Sequence, residues 1–129
     1  MGHFTGGDGW GPLGRLGGAW PGRAGRGNDG AMILEHAVLD VETGKAAAFE
    51  AAFGEALPII AGSPGFGSLR LERCLEQAER YVLLVQWDSV EAHEVGFRES
   101  AAYQRWRALL HHFYPERPTV QHFETALEA

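Results

Sequence analysis

The sequence has one cysteine, Cys74, so it has neither an intrachain disulfide nor a thiol cluster able to hold a metal. Nothing in it points to an oxidising compartment. No apolar run approaches the roughly 20 residues that a membrane-spanning helix needs. The N-terminus lacks the basic-then-apolar order of a secretory signal, because its early residues are mostly glycine. A cytoplasmic protein with no membrane partner is the expectation. Positive charge is scarce as well: eleven Lys and Arg stand against seventeen Asp and Glu, a net charge of −6. That balance argues against nucleic acid as a partner, since nucleic acid wants a basic face.

The common chemical signatures are missing too. No glycine loop opens a strand–helix unit with phosphate-binding spacing. No serine sits in a nucleophile-elbow context. The six histidines include no helical metal pair at i and i+4, and the adjacent His111 and His112 point to different sides of a helix. No metal and no cofactor are expected.

What is present divides sharply near residue 31. Twelve of the eighteen glycines lie in the first thirty residues, with only scattered large apolar residues such as Trp10, Leu13, Leu16 and Trp20 among them. Such a stretch cannot bury enough surface to offset its ordering entropy and reads as disordered. Either translation starts naturally at Met32 and the stretch is an upstream extension, or it is a genuine flexible arm. Residues 32–129 read as one domain, a size at which burial against a second subunit helps a small core.

Within that domain, residues 32–41 are strand-like, rich in branched apolar residues. Residues 45–60 form a helix, with Phe49, Ala52, Phe53, Ala56, Leu57 and Ile60 recurring at three and four; Pro58 should loosen its last turn. Residues 66–75 and 80–87 are two strands joined by a hairpin loop. Residues 88–95 form a short helix with Asp88 and Glu91 as a capping box. Ser100 caps a further helix carrying Tyr103, Trp106, Leu110 and Phe113 on one face. Pro115 and Pro118 end it, and residues 119–127 form the last strand. The order β-α-β-β-α-β specifies an α+β, ferredoxin-like fold: a four-stranded antiparallel sheet with helices on one face. The strand around Tyr81–Val85 is apolar without alternation, so its second face also needs a cover. A homodimer with sheets packed face to face supplies one.

Candidate functional residues concentrate between Trp87 and Arg107. Trp87 ends a strand, Ser89 and Glu91–Ala92–His93 open a helix, and Gly96–Phe97–Arg98 turns toward Ser100. Tyr103 and the Trp106–Arg107 pair follow, and Pro118, Val120, His122 and Phe123 close the chain's last strand. This pattern resembles the antibiotic biosynthesis monooxygenase (ABM) superfamily of dimeric α+β barrels, over nearly all of residues 32–129. The resemblance implies a cofactor-independent monooxygenase that oxidises a small aromatic or polyketide-like substrate with dioxygen. Deprotonating an electron-rich phenol gives an anion that itself reduces oxygen, so a dry aromatic pocket, a base and an oxyanion donor suffice.

Carried onto this chain, Trp87, Phe97, Tyr103, Trp106 and Arg107 would bind the substrate. His93 or His111 would be the base, with His93 ranked first, and Arg98 or Arg107 the charge-stabilising donor. The haem-degrading members of the superfamily use a strand-one Asn, whereas this strand has Glu35, His36 and Ala37. They also use a helix Trp and a ligating His, where Phe97 and Arg107 stand here. A divergent haem degrader and a non-catalytic ligand-binding or sensing domain are the competing classes. Each residue also has a plainer role: Tyr103 and Trp106 as core, Trp87 as strand-end packing, Arg98 as a partner of helix-end carbonyls, His122 as a dimer contact and Cys74 as a buried small hydrophobe.

Overall fold

A computed structural model of the chain describes residues 32–129; the disordered arm expected over residues 1–31 lies outside the described residues. The elements run β1 (Ile33–Asp40), α1 (Ala46–Ala61), β2 (Phe66–Arg73), β3 (Arg80–Trp87), a π-helical turn (Ala92–Phe97), α2 (Ala101–Leu110), a 3-10 turn (His111–Phe113) and β4 (Thr119–Phe123). The strands form one sheet in the order β2-β3-β1-β4, every neighbouring pair antiparallel. This is the α+β, ferredoxin-like arrangement expected from the element order.

The strand register decides which residues face the helices. Glu35, Ala37 and Leu39 of β1 stand opposite Val85, Leu83 and Tyr81 of β3, and all six are buried. Onto that face α1 lays Phe49, Phe53, Ala56 and Ile60, spaced by four, three and four so that they share one stripe. Trp106 and Leu110 of α2 complete the layer, Trp106 meeting Phe53 edge to face at 5.3 Å. The opposite face carries Leu34, His36 and Val38 of β1 against Gln86, Leu84 and Val82 of β3. It is half-buried for the most part, with no second layer over it among the described residues.

Several boundaries depart from the sequence reading. α1 runs one residue past the expected end, to Ala61, with Pro58 inside its last turn, where a proline removes only one backbone bond. β2 stops at Arg73, leaving Cys74 half-buried beyond the strand with its thiol 3.7 Å from Glu76. β4 stops at Phe123, since only five of its residues find partners on β1. The helical turn after β3 is held by Ser89, whose Oγ accepts the Ala92 N–H at 3.1 Å, one position past the expected Asp88.

The largest departure is the π-helical turn. Arg98 N–H donates to the carbonyl of His93, five residues back, at 2.9 Å. Ser100 links this turn to α2: its hydroxyl donates to the Phe97 carbonyl at 2.6 Å and accepts the Tyr103 N–H at 3.1 Å. Gly65 seats the turn from the other side. It has φ +87°, and a Cβ there would lie 2.6 Å from the Ala92 side chain.

Candidate functional site

Between the helix-facing side of the sheet and α2 lies a cavity of about 580 Å³, within the range that holds a drug-sized molecule. Ala37, Leu39 and Leu83 form part of its sheet wall, and Phe97 and Trp106 face them. Glu35 and His93 meet in one part of its lining, 3.4 Å apart. Tyr103 and His111 meet in another, and Arg107, Tyr114 and Arg117 also line the cavity.

Glu35 is 5 % exposed and His93 likewise 5 % exposed, so a carboxyl and an imidazole share a nearly dry corner. Trp87 Nε1–H donates to Glu35 Oε1 at 2.8 Å, and His93 Nε2 lies 3.4 Å from the same oxygen. On its far side, His93 Nδ1 is 2.9 Å from His122 Nε2. His122 Nδ1 in turn approaches Glu94 Oε2, on the exposed side of the π turn, at 3.9 Å. Trp87 stacks on the His93 ring, centroids 5.4 Å apart and planes inclined by 23°. These contacts form one chain of polar groups, Glu35–His93–His122–Glu94, that starts in the cavity and ends near solvent.

Burial dominates the acid–base character of this corner. It pushes the Glu35 carboxyl up to about 7, against the smaller opposing pull of the Trp87 hydrogen bond and the Arg98 charge. Burial also pushes the His93 imidazole down to about 4, helped by His122 and Arg98. His93 is therefore neutral near pH 7 while Glu35 is poised between its two states. In the other part of the lining burial lowers His111, with Arg107, Arg98 and Arg117 adding to the effect. His111 Nε2 is 3.4 Å from the Tyr103 hydroxyl.

Of the residues singled out by sequence, His93, Arg98, His111, Phe97, Tyr103, Trp106 and Arg107 all border the cavity. Trp87 does not. It is fully buried one layer behind the wall and acts on the cavity through Glu35 and His93. His122 pairs with Glu35 in the β1–β4 register, which points it at His93 and away from the outer sheet face where a dimer contact was expected. Glu35 was missed as a site residue. Its signal was a lone carboxylate in the inward phase of an otherwise apolar strand, in step with Ala37, Leu39 and Val41. Among the described residues, no group of three or more His, Cys, Asp and Glu is arranged to hold a metal ion.

A family model for antibiotic biosynthesis monooxygenases matches residues 32–109. The chain belongs to that family. The Bacillus subtilis protein YczJ is 46% identical to it over 93 residues, 72% of this chain and 98% of YczJ. A crystal structure of a candidate antibiotic biosynthesis monooxygenase from Bordetella bronchiseptica shares 38% identity with this ABM chain, with a TM-score of 0.73. The match covers 75% of this chain and 99% of that one. SnoaB, a cofactor-independent oxygenase from Streptomyces nogalater, shares the fold at 18% identity, with a TM-score of 0.66 over 76% of this chain and 96% of its own. The ABM match thus spans every element of the cavity wall except the 3-10 turn and β4. No helix among the described residues is long and apolar enough to cross a membrane.

Proposed function

We propose that this ABM protein is a cofactor-independent monooxygenase acting on a small aromatic or polyketide-like phenol, and that Glu35 is its base. The observation that carries the reading is a buried carboxyl, pushed up to about 7, in the lining of an aromatic-walled cavity. A general base works best when its pKa lies near the working pH, and burial puts Glu35 there while it takes His93 far below. His93 then serves as a neutral relay rather than as the primary base. A passive binding module has no use for such a costly buried group.

In the proposed reaction, ionised Glu35 takes a proton from the bound phenol or anthrone. The resulting anion is rich enough in electrons to reduce dioxygen directly. Arg98, close enough to Glu35 and His93 to act on both, stabilises the developing negative charge. For a methylene converted to a carbonyl, one oxygen atom enters the new C=O bond and the other leaves as water with the two hydrogens. Dioxygen accepts all four electrons.

The proton moves out through the imidazoles, and one returns by the same path when the second oxygen leaves as water. Protonated Glu35 donates to His93 Nε2, His93 Nδ1–H passes its proton to His122 Nε2, and His122 Nδ1–H releases one toward Glu94 and solvent. Each transfer leaves its ring with the same number of protons and changes only the tautomer.

The working unit is proposed to be a homodimer. The outer sheet face presents Leu34, Val38, Val82 and Leu84, with Phe123 47 % exposed at its edge. A second hollow of about 470 Å³ opens there beside Met32, Leu34 and Phe123. Light scattering should give twice the 14.1 kDa chain mass; a monomer would refute the pairing.

The decisive assay is oxygen uptake with an anthrone or hydroquinone by the purified colourless protein. Glu35→Gln should lower turnover by roughly 100-fold or more. Undiminished turnover in that variant removes Glu35 from the chemistry. Ligand binding without any oxygen uptake in the wild type replaces the oxygenase with a binding module.

A further inference from the structure

The charge around the cavity is at odds with that of the chain. A protein of net charge −6 places Arg98, Arg107 and Arg117 on the lining of one cavity, where Glu35 is the only carboxylate. Of the other described arginines, Arg70 is held by Glu72 at 3.1 Å, Arg73 by Glu50 at 2.9 Å and Arg80 by Asp40 at 2.7 Å, and Arg105 of α2 alone has no such pair. Among the described residues, no ion pair within 4.0 Å ties Arg98, Arg107 or Arg117 to a carboxylate.

These cations come from separate elements. Arg98 closes the π turn, Arg107 lies in the last turn of α2, and Arg117 stands just before β4. All of them nevertheless act on the half-buried ring of His111. Helix-end carbonyls can account for one such residue. They do not account for convergence on one cavity from three elements.

We infer that the substrate is an aromatic acid, a phenol or hydroquinone bearing a carboxylate, bound with its carboxylate between Arg107 and Arg117 while Arg98 faces the reacting phenol. This deepens the oxygenase reading and rests on it for the identity of the site. A guanidinium offers two parallel N–H donors that match a carboxylate. Polarity also orients the molecule. An ionised Glu35 repels a second carboxylate, so the acid group stays with Arg107 and Arg117. The ring lies between Leu83, Phe97 and Trp106, and the phenol reaches Glu35. Tyr103 and Tyr114 also line the cavity, and their hydroxyls can donate to the same carboxylate.

The test compares 2,5-dihydroxybenzoate with its methyl ester, the same hydroquinone with and without the charge. Binding is read from quenching of tryptophan fluorescence, since Trp106 lines the cavity and Trp87 stands behind it. The acid should bind about tenfold tighter than the ester at low salt, and the gap should narrow as salt rises. The double variant Arg107→Gln/Arg117→Gln should bring acid affinity down to about that of the ester and so erase most of the preference. Both residues are exposed, so melting temperature should hold. Equal affinities, a preference for the ester, or an acid preference that survives the double variant would each overturn the inference.

Oxygen uptake measured on the same samples separates this from the oxygenase reading. An ester oxidised without any preference for the acid refutes the substrate class alone. An acid bound selectively but not oxidised upholds the substrate class and refutes the oxygenase.

Discussion

Glu35 and Trp87 are 52 positions apart in sequence, yet the indole N–H of one donates to the carboxyl of the other at 2.8 Å. The indole is the one neutral donor that holds the carboxyl, and it favours the ionised form against the desolvation that favours the neutral one. The acidity of the carboxyl in the cavity lining is set by that contest.

The stability of the fold should register it. The folded Glu35 carboxyl sits near 7 and its ordinary value is 4.5. Between these, the folded state keeps a proton that the unfolded state has released, so Glu35 makes stability fall as pH rises through that window. His93, lowered to about 4, works the other way below pH 6.5, so wild-type stability alone changes little across much of the range. The comparison with Glu35→Gln isolates the carboxyl. From pH 4.5 to 7.5 the variant should gain roughly 3 kcal/mol over wild type in urea unfolding. Parallel curves would mean that Glu35 titrates normally.

Trp87→Phe keeps an aromatic ring against His93 and deletes the donor. With the ionised form less supported, the Glu35 carboxyl should titrate above its present value of about 7. The lost hydrogen bond should cost about 1–3 kcal/mol. A carbon-13 titration of labelled glutamate carboxyls reads the shift directly, and a midpoint that stays or falls contradicts the assignment.

His122→Phe breaks the relay beyond His93 while filling a similar volume at the half-buried β4 position. Turnover should fall about tenfold in dilute buffer and recover with added imidazole, which replaces the missing proton acceptor. A loss that imidazole does not relieve would indicate a structural role.

Gly65→Ala strains a backbone at φ +87° and drives a methyl into Ala92. The cost should be about 2 kcal/mol or more. Ala92→Gly in the same chain should return part of it, because only the steric share is shared between the two sites. Thermal melts of the single and double variants measure the coupling, and strict additivity would show that the two residues do not meet.

The fold was largely legible because its elements announce themselves locally. Phe49, Phe53, Ala56 and Ile60 mark a helix stripe, and Ser100 marks a helix start. The cavity residues between Phe97 and Arg107 were legible for the same reason, clustered within one segment. Glu35 and His122 were not, because their roles exist only through the β1–β4 register and the placement of the π turn. A strand residue declares its face by alternation, but not which side chain from a distant element will meet it. Gly96 marked a break after residue 95, but nothing in the sequence distinguishes a π turn at 92–97 from an α-helix ending there.

The π turn makes the number of residues between β3 and α2 a chemical variable. It accommodates one more residue than an α-helical turn would. Deleting Gly96 would let the segment close as an ordinary helix and swing the Arg98 position by about 100°, leaving the Trp87–Glu35 bond upstream untouched. The carboxyl would then lose its cationic neighbour and keep its indole. Variation in the length of this segment is therefore a route to change how acidic the cavity is without replacing any residue that touches Glu35.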